Sequence, residues 1–287
     1  MSGEPAAGRE HCDEGRRLYD FERHRSHAMI YGGHDPGVCA RILGGLTGWL
    51  LGYLDQSRAS IADGLELAER LGHPFTLGIA LLQATVFHQL CREPDNALRR
   101  LHAAETVATE QRHGLHIDFR ILRGGALTAQ GESAEAVAAI RDGLADRQRA
   151  GGKLYRPFGL AIFAEALACA GDHVGACSAL AEALAIAQET GERWWEAEIH
   201  RLNGVTHLAS LDIAEAEVCF RHASAIARQQ QAKSLELRAA TSLARLWGEQ
   251  GRRAEAHELL APVYGWFTEG FDTADLKEAK GLLDELT

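Results

Sequence analysis

The chain has 287 residues, with 30 basic against 40 acidic side chains and a formal charge of −10 at pH 7. Both halves are acidic, which excludes a non-specific nucleic-acid binder, because phosphate contacts demand a basic footprint. Six prolines in an Ala- and Leu-rich chain favour helix over sheet, and a chain this long buries a core without staples.

The six cysteines, Cys12, Cys39, Cys91, Cys169, Cys177 and Cys219, form no CxxC and are scattered. That is the pattern of reduced, buried thiols rather than of a disulfide framework. The opening MSGEPAAGREHCDEG has no apolar core and is not a signal peptide. The longest apolar stretch, Val38–Leu54, is 17 residues with Arg41 inside it, too short and glycine-rich for a membrane span. A cytoplasmic protein is expected.

In chain order, residues 8–20 read as a helix, with Gly8, Cys12 and Gly15 in a small–large–small spacing. A partner helix is missing before it. Residues 1–20 are therefore expected to be either the orphan second helix of a partial repeat or a disordered N-terminus. Next comes RHRSHAMIYGGHDPG, whose His24, His27, His34 and Asp35 are the best metal candidate among fourteen histidines. His24 and His27 can share a helix face. The reading preferred is a turn, with Gly32 and Gly33 at positive φ and Asp35–Pro36 opening a helix. No metal or other cofactor is expected.

From there one pattern recurs: a small residue, a large apolar residue four positions on, and a small residue three further. It appears as Ser57–Ile61–Gly64, Ala97–Leu101–Ala104, Ala136–Ile140–Gly143, Ala176–Leu180–Ala183, Ala216–Phe220–Ala223 and Ala256–Leu260–Val263. The first members lie 40, 39, 40, 40 and 40 residues apart. This i, i+4, i+7 spacing marks one helix face, where small residues admit a close neighbour. A second helical segment precedes each: Pro36–Leu54, His73–Cys91, Leu115–Gln130, Lys153–Ala170, Glu192–Ser210 and Ala232–Gln250. Gly72, Gly114, Gly131, Gly151, Gly152, Gly171, Gly191, Gly251 and Gly270 stand at predicted helix ends. Pro74 and Pro94 stand at predicted starts, and Pro262 should kink or split the last B helix. The prediction is all-α: a right-handed superhelical solenoid of about six A-turn-B repeats of about 40 residues. It occupies 21–270, with repeats at 36–72, 73–114, 115–152, 153–191, 192–231 and 232–270. Each hairpin completes its core only by stacking. Residues 271–287 then form a capping helix, N-capped by Asp272 or Thr273, whose Asp275, Lys277, Glu278, Lys280, Asp284 and Glu285 suit a solvated end.

The hairpin resembles the tetratricopeptide repeat. The family's B-helix triplet matches Ala216, Phe220 and Ala223, and its A-helix small residue and aromatic match Ala244 and Trp247. His207 and His88 depart from the usual aromatic, and Thr85 from the usual glycine. The longer period is similar to the superhelical variant of maltose-activator-type regulators. Segments such as LYDFERHRSHAMIYGGHDPGVCA and GERWWEAEIHRLNG resemble the C-terminal repeat region of large bacterial signalling proteins. Those carry an adenylate/guanylate-cyclase-type or DNA-binding domain and an AAA/STAND-type ATPase ahead of the repeats. The resemblance implies a sensing or scaffolding region, with catalysis in domains not seen in this sequence.

No catalytic motif competes with that reading. Gly151-Gly152-Lys153-Leu154 lacks the first glycine and the Ser/Thr of a phosphate-binding loop. His257-Glu258-Leu259-Leu260-Ala261 lacks the second histidine of a zinc-protease helix, and no GxSxG is present. His113/His116 and His200/His207 sit at helix spacings and are taken as satisfied or solvated. In this repeat class the A helices line the concave face. That places Phe158, Ala161, Glu165, Glu198, Arg201, Val205, Arg238, Thr241 and Arg245 toward a groove, able to clamp an acidic peptide through arginine. Adjacent helical residues diverge by about 100°, so of Trp194 and Trp195 one should pack inward and the other lie nearer a groove; core packing is the reading preferred, and a binding anchor is the alternative. The expected function is a non-catalytic protein-interaction module. Its partner would be a protein or peptide, or an attached cyclase or ATPase domain, with neither nucleic acid nor membrane. A small-molecule or metal sensor, or a transcription-regulator repeat region, is the alternative.

Overall fold

The computed structural model describes residues 2–31, 33–111 and 116–287, apart from the side chains of 31, 110–111 and 116–118. Gly32, Gly114, His113 and the His116 side chain lie outside the described residues. Within these residues the chain is all-α, with sixteen helices and no strand, and none of those helices is long and apolar enough to cross a membrane.

The helices fall into two compact units. The N-terminal unit comprises Ala6–Trp49 and Leu54–Gly151. It begins with α1 (Pro5–Leu18), α2 (Phe21–His24) and α3 (His27–Tyr31). Three hairpins follow: α4 (Pro36–Leu50) with α5 (Leu54–Leu71), α6 (Pro74–Leu90) with α7 (Pro94–Gln111), and α8 (His116–Ala129) with α9 (Ser133–Arg149). Helix α1 lies against α4, with Cys12 against Gly44 and Gly15 against Ala40. Arg16 extends from it to Ser60 Oγ at 2.8 Å and to Asp63, which also binds Arg41 at 2.9 Å.

The C-terminal unit comprises Met1–Pro5, Leu50–Tyr53 and Gly152–Thr287. Its hairpins are α10 (Arg156–Cys169) with α11 (His173–Thr190), α12 (Glu196–Ala209) with α13 (Ile213–Gln229), and α14 (Lys233–Glu249) with α15 (Arg253–Tyr264). The last helix is α16 (Ala274–Leu286). It starts 41 residues after α14, in the register of another A helix, and buries Leu276, Ala279, Leu282, Leu283 and Leu286. In the same unit the Tyr53 ring stands 5.7 Å from Trp266.

The recurring triplet is the core of every hairpin. Its large members Leu101, Ile140, Leu180, Phe220 and Leu260 are 0% exposed, and Ile61 is 4%. The facing A helix offers a small residue. A Cβ added to Gly204 would stand 2.6 Å from Phe220 Cε1, and one on Gly45 2.8 Å from Ile61 Cγ1. Small residues thus fix the interhelical distance, and a large B-helix side chain fills the space they leave.

The A-to-B turns share one conformation. Gly52, Arg92, Gly131, Gly171, Leu211 and Gly251 all take positive φ, one per repeat. Gly72, Gly151, Gly191 and Gly270 take it at B-helix ends, as expected from the sequence; Gly152 and Gly33 do not. At Leu211 (φ 62°) the left-handed conformation is strained, because Cβ crowds the carbonyl, and 85% exposure means that the side chain buries almost nothing. That strain costs about 1–2 kcal/mol, partly offset in a Leu211→Gly chain by the extra freedom of unfolded glycine, about 0.5–1 kcal/mol. Leu211→Gly is therefore expected to stabilise the fold by about 0.5–1 kcal/mol. A urea titration checks the sign; a lowered midpoint would contradict it.

Several boundaries differ from the sequence reading. Helices α10 and α12 start three to four residues late, at Arg156 and Glu196. The Glu192 carboxylate accepts from Tyr155 N at 3.0 Å and from Trp194 Nε1 at 3.1 Å, holding both entry segments out of the helices. Pro262 does not split α15, which runs through it and stops at Tyr264. Its missing N–H falls in the last turn, so the cost appears as a 12-residue helix where α13 has 17. Thr273 takes the N-cap position of α16, but its hydroxyl donates backward to the Gly270 carbonyl at 2.7 Å. All six cysteines are free, but only Cys91 and Cys219 are fully buried, and Cys169 is exposed on α10. Burial pushes the Cys12 thiol up to about 11, with Cys39 adding to the shift.

Candidate interaction face

The A helices of the C-terminal unit carry a charged ladder. Glu198 on α12 is 4% exposed. It accepts from Arg201 Nη2 at 2.8 Å, one turn away, and from Arg238 Nη1 of α14 at 3.3 Å. Arg238 Nε then donates to Asp275 of α16 at 2.8 Å. Burial pushes the Glu198 carboxyl up, but the Arg201 and Arg238 guanidiniums outweigh it and hold it at about 2. Burial also works against the charge on Arg238, and Asp275 and Glu198 reverse that, raising it. Farther along, Arg245 of α14 pairs with Glu278 of α16 at 2.8 Å, with both partners largely exposed.

This geometry revises the clamp expected from the sequence. Arg201 and Arg238 spend their donors on the chain's own carboxylates. Phe158 and Ala161 are core residues at 4% and 0% exposure, and Thr241 is buried too. Glu165, Val205 and Arg245 are the accessible members. Asp275 and Glu278, read from the sequence as a solvated end, are partners of α14. Their one-repeat offset from Leu235 and Arg238 was the signal for this placement.

Trp194 and Trp195 are both buried, at 7% and 5% exposure. The expectation that one faces a groove rests on helical geometry, and both residues precede the helix. They pack with Phe158, whose ring centroid is 5.3 Å from each indole, and Tyr155 closes the cluster at 6.0 Å from Trp194. Such pairs add about 0.5–1.5 kcal/mol beyond their area.

The cluster His24, His27, His34 and Asp35 is only partly assembled. His24 ends α2 and His27 begins α3, so they share no helix, although their rings stand 4.8 Å apart. Asp35 is fully buried and its carboxylate is already engaged: Val38 N donates to Oδ1 at 3.0 Å, capping α4, and Tyr19 Oη donates to Oδ2 at 3.1 Å. No group of three metal-ligating side chains is assembled among the described residues. His200 meets His222 of α13 rather than His207, ring to ring at 4.4 Å. Burial, with His222 adding to it, pulls His200 down to about 4. His207 instead pairs with Asp212 at 3.5 Å, as His88 does with Glu93 at 2.7 Å three repeats earlier.

No family model matches the chain. An uncharacterized protein of Rhizobium meliloti (strain 1021), R02095, is 26% identical over 235 residues, 81% of this chain; the chain spans 23% of that relative's length. Among solved structures, a Rap protein complexed with Competence and Sporulation Factor matches 99% of this chain and 80% of its own, with a TM-score of 0.65 and 13% identity. The apo form of RapI matches 98% of this chain and 78% of its own, at a TM-score of 0.52 and 12% identity. Hairpins of two helices, a small–large–small B-helix core and these structural neighbours agree: by fold, the chain is an array of tetratricopeptide-type repeats.

Proposed function

We propose that the chain is a non-catalytic protein- or peptide-binding region, the regulatory repeat part of a larger bacterial signalling protein of the cyclase or STAND-ATPase kind, working in the cytoplasm. The observation that carries the reading is an A-helix ladder with its inner charges mutually neutralised, leaving Glu165, Val205 and Arg245 accessible at its margin. Mutual neutralisation fixes the scaffold, and the margin supplies the contacts. The neighbour solved with Competence and Sporulation Factor supports a peptide or protein ligand on such a fold. The relative's much greater length supports attachment to further domains. The sensor alternative gains nothing from Asp35, which is occupied as a helix cap.

A peptide-display selection on the purified chain, followed by fluorescence anisotropy, tests this. Selected peptides are expected to lose at least tenfold in affinity with Glu165→Lys/Arg245→Glu, and the chain to turn over neither ATP nor GTP. Cyclisation or hydrolysis by the purified chain, or peptides indifferent to both substitutions, would sink the reading.

A further inference from the structure

One A-to-B turn in the C-terminal unit takes the left-handed conformation without glycine, as Tyr155 and Gln231 do elsewhere in that unit. Four of the six equivalent turns place glycine at the left-handed position, while this one places Leu211 there, 85% exposed. Backbone strain that serves no packing points toward a role in recognition. Two further apolar side chains are exposed on the B helices α11 and α13. Val218, on the outward stripe of α13 seven residues beyond Leu211, is 56% exposed. Val174, in the first turn of α11, stands one repeat before Ala214 on that same stripe and is 83% exposed.

The charge of this region is equally distinctive. Residues 157–220 hold ten carboxylates against two arginines, whereas the rest of the C-terminal unit holds eleven of each sign. Both arginines are committed, Arg193 to Glu196 at 2.7 Å and Arg201 to Glu198 at 2.8 Å. Asp172, Asp212 and Glu215, all exposed, flank the apolar side chains at the B-helix N-termini. Nucleic acids and anionic lipid surfaces are repelled by this sign of charge.

We infer that the outer turn edge of α11 and α13 docks a cationic amphipathic helix of a partner protein. Its apolar stripe covers Val174, Leu211 and Val218, and its Arg or Lys residues meet Asp172, Asp212 and Glu215. The proposal deepens the protein-binding reading but uses B-helix residues apart from the A-helix ladder, so each can fail alone.

The test is anisotropy with two fluorescein-labelled 18-residue helical peptides, one of Leu and Arg, the other of Leu and Glu. The cationic peptide is expected to bind at least tenfold tighter, and to weaken severalfold between 50 and 300 mM NaCl as screening grows. Leu211→Gly/Val218→Ser should weaken it at least tenfold without altering charge, while Glu165→Lys/Arg245→Glu leaves it unchanged. Because Leu211→Gly relieves strain, a melting temperature at or above that of the parent chain separates lost binding from lost fold. Equal affinity for the two peptides, or undiminished binding by the variant, overturns the inference. So does a dimer in sedimentation that the variant abolishes while the cationic peptide fails to bind, which would make a second copy the occupant.

Discussion

Phe220→Ala is expected to destabilise the chain by about 3–5 kcal/mol, the range for truncating a fully buried aromatic. Phe220 is 0% exposed and fills the gap left where α12 presents Gly204 to α13. Truncation removes the transfer free energy of the ring and leaves a cavity that Gly204 cannot fill. Part of the loss should be recoverable. A Cβ on Gly204 conflicts with the Phe220 ring at 2.6 Å, and its next contact is the Ala216 carbonyl at 3.1 Å. With the ring gone, Gly204→Ala gains helix propensity of about 1 kcal/mol and meets only that milder contact. Urea denaturation of the two single variants and the double variant closes a thermodynamic cycle. The double variant should lie above the sum of its parts. Strict additivity would show that the two residues do not share the space the structure gives them.

Arg238→Met is the second large effect. The substitution keeps the stem and removes the guanidinium that joins Glu198 to Asp275. Losing one partner of a buried pair costs about 3–5 kcal/mol, because an uncompensated charge remains. Arg201 stays on Glu198 and softens the loss there, so about 3 kcal/mol is expected at pH 7. The sign of the pH dependence follows from Glu198. Its folded pKa, about 2, lies below the unfolded value of 4.5. Its contribution is therefore full above pH 4.5 and is lost as pH falls through 2. In Arg238→Met the folded pKa rises, and that contribution shrinks. The stability gap between variant and parent should then be wide at pH 7 and narrow toward pH 3, read from urea midpoints across the range. A gap independent of pH would mean that Arg238 acts through packing alone.

The sequence by itself determined the repeat unit. The triplet at a forty-residue spacing is a local property of each B helix, and burial acts on it identically in every copy, so Ile140, Leu180 and Leu260 all lie at 0% exposure. Turn positions were legible for the same reason at Gly131, Gly171 and Gly251, and illegible at Gly52, which the reading placed inside the helix Pro36–Leu54, and at Arg92 and Leu211, where another residue takes the same backbone. Core packing of Trp194 and Trp195 was legible, but not that both indoles lie inward, because both residues precede α12, which begins only at Glu196. The ladder was legible as a stripe of charges but not as a set of pairs. Whether Arg238 faces solvent or Asp275 depends on where α16 docks, 37 residues along the chain, which the period within one helix does not encode and only the one-repeat offset of Asp275 and Glu278 signals. Spacing decides which face of a helix is apolar. Only the packing of one helix on the next decides whether a charge on the other face stays open to a partner or is spent within the fold.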